Sequence, residues 1–86
     1  MPTPATPQLS KRLGELIGQR RQKLGISQEE LVQRAKISRS YYSDIERGLR
    51  NMSVQSLCNI ARALGTTGYE LLHQAELAEG EQAVTS

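Results

Sequence analysis

Apolar residues recur at intervals of three and four positions through much of the chain, a pattern typical of amphipathic helices. The first apolar stripe predicts a helix of about four turns that begins at Leu9 and ends at Gly25, a natural left-handed stop. Arg20 interrupts this stripe, where its aliphatic stem can pack while the guanidinium reaches water. The stripe consists of Leu9, Leu13, Leu16, Ile17, Arg20 and Leu24.

Four more helices are predicted, each beginning at a hydroxyl residue that can cap its first turn. These caps are Ser27, Ser38, Ser53 and Thr67. A glutamate follows the first and last of them by three residues, which makes two capping boxes. Gly48 and Gly65 end the third and fourth helices. The inward-facing residues are expected to be Leu31, Val32, Ala35, Tyr42, Ile45, Val54, Leu57, Ile60, Ala61, Leu64, Tyr69, Leu71 and Leu72, with Leu77 a further candidate.

The fold class that follows is all-α with five helices. The apolar fraction is 37% and the only aromatic residues are three tyrosines, so Leu, Ile, Val and Ala must form the core. We expect a disordered arm over residues 1–8, which contain three prolines, one folded domain over 9–78, and a disordered acidic tail over 79–86.

The charge is unevenly distributed along the chain. Residues 1–65 carry a net charge of +6 and residues 66–86 carry −4, which gives +2 in total. A basic body with an acidic end favours a polyanionic partner that contacts one face. The alternative is a set of scattered, solvated charges.

Several classes of protein are excluded or disfavoured by composition. The single cysteine, Cys58, permits neither an internal disulfide nor a cysteine-rich zinc site, and a packing role is preferred to redox sensing. No cofactor or metal is expected, and the solitary His73 is expected to face solvent. No signal peptide or membrane span is visible, so the expected location is the cytoplasm, in association with the nucleoid.

The segment 27–51 carries the clearest functional signal. It predicts two short helices joined by a tight turn at Lys36 and Ile37, and the second helix is rich in polar and basic residues. A helix-turn-helix places its second helix in the major groove of DNA in this way.

Three stretches together resemble the phage-repressor helix-turn-helix family, also called the xenobiotic-response-element (XRE) family. They are RRQKLGISQEEL, RAKISRSYYSDIERG and LCNIARALGTTGYELL, and the resemblance covers about residues 13–72. The run SRSYYSDIERGLRNMSVQSL is similar to the controller proteins of restriction–modification systems. The resemblance implies a phage-repressor-like fold and a transcriptional regulator that binds double-stranded DNA as a homodimer at a palindromic operator.

The expected base-reading residues lie on the third helix. Arg39 follows the Ser38 cap and can donate two hydrogen bonds to guanine. Ser40 and Ser43 are small enough to let the helix approach base edges. Asp44 either accepts from cytosine or holds Arg39 or Arg47 in place.

Backbone contacts are expected from Gln28, Ser38, Tyr41, Arg47, Arg50 and Asn51. The resemblance implies that Gln28 bonds a phosphate and braces the recognition helix, since its amide carries both donor and acceptor. It also implies that Arg21 and Glu46 form an ion pair between the first and third helices.

The fifth helix is the expected dimer element, with Leu57, Tyr69, Leu72 and His73 as candidate interface residues. The alternative is that these residues only complete the monomer core.

Two other functions compete with DNA binding. The fold also serves as the antitoxin of toxin–antitoxin pairs, where the arm and the acidic tail would bind a toxin. An enzyme is the weakest alternative, because no acid–base pair has motif support. RNA polymerase is a further possible partner, since a regulator either blocks it or contacts it.

Overall fold

The computed structural model describes the backbone of residues 7–85 and the side chains of residues 8–78. This part of the chain forms five α-helices and no strand, which confirms the predicted fold class. The helices are α1 (Pro7–Lys23), α2 (Gln28–Ala35), α3 (Arg39–Glu46), α4 (Val54–Ala63) and α5 (Gly68–Thr85). Over the same residues, none of the helices has both the length and the apolar character that crossing a membrane requires.

Two predicted boundaries differ from the structure. Helix α1 begins at Pro7 rather than Leu9, because proline is well accommodated in the first turn of a helix. The remainder of the predicted arm, residues 1–6, lies outside the described residues. Helix α5 continues to Thr85, past the end predicted near residue 78, because the Ala- and Glu-rich sequence on both sides of Gly80 favours helix. The side chains of 79–86 lie outside the described residues, so a separate acidic tail stays a prediction.

The four predicted N-caps are present. Each cap oxygen accepts from the backbone N–H three residues later, at 3.0–3.2 Å. The capping boxes are only half formed, since the Glu30 side chain binds Arg34 and the Glu70 side chain accepts from Gln74. The three predicted glycine stops, Gly25, Gly48 and Gly65, all have left-handed φ angles of 72–75°.

The core lies between α1 and α5 on one side and α2 and α4 on the other, and α3 packs against α1 and α2. Its largest fully buried side chains are Tyr42, Ile17, Leu31, Ile45, Ile60 and Leu71. The apolar stripes of the sequence therefore identify most of the core.

Four residues predicted to face inward are instead exposed. Val54 and Tyr69 are 78% and 75% exposed. Each lies in the first turn of its helix, where none of the described core residues packs against it. Leu24 follows the end of α1 and Leu77 lies beyond the part of α5 that covers the core, so both are more than half exposed.

The close approach of α3 to α1 depends on glycine. A Cβ atom at Gly14 would lie 2.1 Å from the carbonyl oxygen of Ile45, and one at Gly18 would lie 3.3 Å from the Glu46 carboxylate. Because the two glycines are one helical turn apart, they leave a channel on α1 for the C-terminal half of α3. This packing sets the position of α3.

The turn between α2 and α3 contains a non-glycine residue in the left-handed region. Lys36 has φ 59° and ψ 47°, and it caps the C-terminus of α2. This conformation, together with the Ser38 cap, reverses the chain between the two helices within three residues.

Candidate nucleic-acid interface

Two exposed side chains lie at the N-terminal end of the outer face of α3. Arg39 and Ser40, at the N-terminus of the helix, are exposed, while Ser43 and Asp44 are half-buried. All four lie on the outer part of a helix whose inner face is fixed in the core. The structure thus brings the four predicted base-reading residues to one side of α3.

Tyr42 and Ile45 anchor the inner face of α3. Both are almost completely buried, and the Tyr42 hydroxyl donates to Oε2 of Glu46. Burial raises the pKa of Tyr42 well above its ordinary value, and the bond to Glu46 raises it further. The phenol therefore stays protonated and acts as a fixed donor.

An ion pair ties the end of α3 to α1. The Arg21 Nε lies 2.7 Å from Glu46 Oε2, and Nη2 lies 3.4 Å from Oε1. Both side chains are only 12% exposed. The remaining Arg21 nitrogen, Nη1, donates to the carbonyl oxygen of Ile26 at 2.9 Å. The ion pair that the family resemblance implied is present, and all three guanidinium nitrogens of Arg21 have a hydrogen-bond partner.

The Glu46 carboxylate remains charged despite its burial. Burial alone raises its pKa, but hydrogen bonds from Arg21, Tyr42 and Gln28 outweigh that effect and hold the pKa below its ordinary value. The hydrogen bond to Glu46 in turn raises the pKa of Arg21. The pair therefore stays ionised over the whole neutral range.

Gln28 connects both ends of α3. Its Nε2 donates to Glu46 Oε1 at 3.0 Å, and its Oε1 accepts from Arg39 Nε at 3.2 Å. An ionised carboxylate can only accept, so the amide nitrogen must face Glu46 and the amide oxygen must face Arg39. The structure places Gln28 where it braces the recognition helix.

Arg39 has a second partner on α2. Its Nη1 lies 3.1 Å from Glu29 Oε2, and both side chains are more than half exposed. The alternative in which Asp44 holds Arg39 is not what the structure shows, because Arg39 is held by Gln28 and Glu29.

Asp44 lies between two other arginines. Its carboxylate oxygens are 3.9 Å from Arg47 and 3.6 Å from Arg50. This geometry agrees with the predicted role in which Asp44 holds Arg47. Arg50 is a second partner of Asp44 that the sequence did not predict. The carboxylate is about one-third exposed.

Tyr41 packs against the loop that follows α3. The Arg50 guanidinium lies 5.4 Å from the centre of the Tyr41 ring, within cation–π range. The Tyr41 hydroxyl accepts from the backbone N–H of Ser53 at 3.3 Å. Tyr41 therefore holds both the loop and Arg50 beside the recognition helix.

Ser38 and Asn51 already have partners within the chain. The Ser38 hydroxyl accepts from the Tyr41 backbone N–H as the cap of α3, and the Asn51 Oδ1 accepts from the Ser10 hydroxyl of α1. The donors of the Asn51 amide are not used by that contact, and the residue is exposed.

The four candidate interface residues fall into two groups. Tyr69 and His73 stack on the exposed face of α5, with ring centroids 5.6 Å apart and planes 5° from parallel. Leu57 is buried and Leu72 is half-buried, and both line an apolar groove beside Met52. Leu57 is thus chiefly a core residue, whereas Tyr69 and His73 face outward.

The described part of the chain offers little for metal binding or cysteine chemistry. No three His, Cys, Asp or Glu side chains come together there as a metal site. Cys58 is a free, half-buried thiol.

The geometry matches that of a known protein family. The sequence profile of HTH_3, described as helix-turn-helix, matches residues 17–71, which include all of α2, the turn and α3. The chain belongs to the HTH_3 helix-turn-helix family. Its membership confirms the family predicted from the three sequence stretches.

Relatives of this HTH_3 chain are named as regulators. The control protein C.BamHI of Bacillus amyloliquefaciens is 40% identical over 60 residues, which span 70% of this chain and 74% of that protein. The clp gene regulator ClgR of Corynebacterium glutamicum matches with a TM-score of 0.79 and 28% identity, over 90% of this chain and 82% of that one. The restriction–modification controller protein C.Esp1396I, solved as a tetramer with its natural 35 base-pair operator, matches with a TM-score of 0.69 and 30% identity, over 80% and 95% of the two chains.

Sequence reasoning missed two features of this HTH_3 site. Glu29 was not singled out as a partner of Arg39, because the two residues lie on different helices and only tertiary packing brings them together. Gly14 and Gly18 were not singled out, although their spacing of one turn within a helix indicates a close helix contact.

Proposed function

We propose that the chain is a sequence-specific DNA-binding transcriptional regulator that acts as a homodimer at a palindromic operator. The observation that carries the proposal is the exposed N-terminal end of α3, where Arg39 and Ser40 project from a helix that is fixed from behind. Membership of HTH_3 and the operator complex of C.Esp1396I support the same function. Such a protein works on the chromosome, which places it in the cytoplasm with the nucleoid.

The base-reading step is proposed for α3 in the major groove. Arg39 donates to O6 and N7 of a guanine, a contact worth about 1–3 kcal/mol of discrimination. Ser40 and Ser43 allow the helix to approach and offer short hydroxyls to neighbouring bases. We propose that Asp44 chiefly orients Arg47 and Arg50, because its two carboxylate oxygens lie 3.9 Å and 3.6 Å from their guanidinium nitrogens.

Phosphate contacts are proposed for the residues that border α3. Arg47, Arg50 and the free amide donors of Asn51 lie after the helix, and Tyr41 supports Arg50 from one side. Gln28 begins α2 and Ser38 caps α3, and we propose that these two helix starts approach the DNA backbone. These contacts fix register and orientation without reading sequence.

A dimer follows from the way such motifs read palindromes. Two copies related by a two-fold axis should read half-sites about 34 Å apart, one turn of DNA. The exposed Tyr69–His73 stack and the groove lined by Leu57 and Leu72 are the surfaces we propose for the contact. Whether the regulator blocks RNA polymerase or contacts it depends on where the operator lies.

The test is selection of duplexes from a random DNA pool by the purified protein at about 150 mM salt, where non-specific phosphate binding is weak. We expect a palindromic motif with half-sites one turn apart. Arg39→Ala should lose preference at one base pair of each half-site. The matched control is Arg62→Ala, an exposed arginine on α4, which should select the wild-type motif.

Failure to select any sequence would favour a different function. If folded protein enriches no sequence, DNA reading is absent or needs a partner, and the antitoxin-type interaction module becomes the leading alternative. In that case, loss of binding to a candidate toxin on deletion of residues 78–86 would support the alternative.

A further inference from the structure

Helix α2 holds the Arg39 side chain at two points. Two of its N–H groups are engaged before any DNA is present, Nε by Gln28 at 3.2 Å and Nη1 by Glu29 at 3.1 Å. Both partners lie in the first turn of α2, so the guanidinium is held from one side by neighbouring residues.

The direction of this contact is set by a group of largely buried side chains around Glu46. Glu46 is fixed by Arg21 and Tyr42, and it fixes the orientation of the Gln28 amide. The amide oxygen can then only face outward, toward Arg39 Nε. Glu29 adds a second point of attachment, and two points define the plane of the guanidinium where one would leave it free to rotate.

The hold leaves enough donors to read a base. A guanidinium carries five N–H donors, and two are taken by α2, so three remain, including both on Nη2. A guanine needs two. A long side chain that is already oriented loses less rotamer freedom on binding than a free one.

We propose that Glu29 is a positioning residue for base reading: its carboxylate, together with the Gln28 amide, aligns the Arg39 guanidinium with the base edge. This inference rests on the proposed function of the chain. The carboxylate also places a negative charge beside the surface that meets phosphates. Glu29 thus raises discrimination between bases and lowers affinity for unrelated DNA.

A neighbouring pair provides the matched control. Glu30 binds Arg34 at 2.6 Å within α2, and both of these side chains are about half exposed. Glu29→Gln and Glu30→Gln therefore remove the same charge from adjacent positions, and each breaks one exposed ion pair. Exposed pairs contribute little to stability, so both variants should fold and melt like wild type.

The experiment measures affinity for the selected operator, for an operator changed at the base pair where Arg39→Ala loses preference, and for a random duplex. In Glu29→Gln, the preference for the correct base pair should fall about three- to tenfold, a part of what the full arginine contact contributes. Affinity for the random duplex should rise. Glu30→Gln should keep the wild-type preference.

Glu29→Asp separates charge from geometry. The shorter side chain keeps the negative charge but withdraws the carboxylate from Arg39, so random-duplex affinity should stay near wild type while the base preference falls. If Glu29→Gln retains the wild-type preference, the positioning role is overturned while the proposed function stands. If wild type itself shows no preference for any sequence, the proposed function fails, and this inference fails with it.

Discussion

At the scale of single residues, the turn between α2 and α3 shows a conformation that the side chain does not favour. Lys36 adopts left-handed backbone angles, and its Cβ then crowds the following carbonyl oxygen, at a cost of about 1–2 kcal/mol. The turn keeps this conformation because α2 and α3 are both packed on the core and the chain must reverse between them.

The first prediction concerns this residue. Lys36→Gly should stabilise the domain by about 0.5–1 kcal/mol, because relief of crowding exceeds the extra entropy of glycine in the unfolded chain. For a domain of this size the melting temperature should rise by roughly 3–6 °C. Thermal unfolding followed by circular dichroism measures the change.

Lys36→Ala is the control for Lys36→Gly, since it removes the charge and the long side chain without freeing the backbone. It should bring no gain. A melting temperature for Lys36→Gly that does not exceed that of Lys36→Ala would show that the left-handed angle costs nothing here.

The second prediction concerns the charge of Glu46. Its pKa is held below the ordinary value in the folded state, so its contribution to stability is complete above about pH 5 and is lost as the pH falls through the lowered pKa. Glu46→Ala should cost about 3–5 kcal/mol at pH 7, because Arg21 and the Tyr42 hydroxyl lose their acceptor. The gap between the variant and wild type should narrow as the pH falls toward 3.

Melting curves from pH 3 to pH 7 test this expectation, with Glu30→Ala as the control. Glu30 also pairs with an arginine but is exposed, so its removal should cost less than about 1 kcal/mol. Equal melting temperatures for Glu46→Ala and Glu30→Ala at pH 7 would rule out a structural role for the buried pair.

At the scale of elements, the packing of α1 on α3 decides where the recognition helix lies. Gly14 and Gly18 let α3 approach, and the Arg21–Glu46 pair continues the same contact one turn further along α1. Helix α3 is therefore fixed by three contacts: its close approach to the α1 backbone, the Arg21–Glu46 ion pair and the buried Tyr42 ring. The eight residues of α3 are too few to be stable alone, so its shape depends on these contacts.

A third prediction tests the close approach. Alanine usually favours a helix over glycine by about 1 kcal/mol, but Gly14→Ala would place a methyl group 2.1 Å from the Ile45 carbonyl oxygen. Because that atom belongs to backbone and cannot move aside, the variant should lose at least ~2 kcal/mol of stability. Chemical denaturation measures the loss.

Gly18→Ala is the graded comparison on the same face of α1. Its added methyl group would meet the Glu46 side chain at 3.3–3.4 Å, which is tight but adjustable. The loss should therefore be smaller than for Gly14→Ala. A gain in stability for Gly14→Ala would contradict the packing described here.

At the scale of the whole molecule, charge is separated between residues 1–65 and the C-terminal part of the chain. Residues 1–65 carry +6 and residues 66–86 carry −4. The arginines of α3 and of the loop after it form two groups, Arg39 against α2, and Arg47 with Arg50 around Asp44. In the proposed function, the first group reads bases and the second binds phosphates.

The fourth prediction tests that division. Arg50→Ala should weaken binding to all sequences alike and reduce the slope of log affinity against log salt by about 1, because one phosphate contact and its released counterion are lost. Arg39→Ala should instead relax specificity at one base pair. Titrations at several salt concentrations distinguish the two, and identical effects from both variants would contradict the division.

The sequence anticipated the parts of this structure that depend on neighbouring residues. Ser27, Ser38 and Ser53 cap helices because a hydroxyl reaches an amide three residues away, and that contact needs no tertiary structure. The stripes likewise identified Ile17, Leu31 and Ile60 as core. Val54 and Tyr69 were misplaced because the burial of a first-turn residue depends on what lies opposite it.

What the sequence by itself determined is the all-α class and the five helices with their caps and stops, since these follow from local hydrogen bonding and apolar periodicity. Tertiary structure decided which donors and acceptors remain free at the candidate interface. Arg21 and Glu46 are 25 positions apart, and Arg39 and Gln28 are 11 apart, so only the packing of helices brings them into contact. The same packing gives Arg39 a carboxylate partner in Glu29 and leaves three of its N–H groups available at the candidate interface.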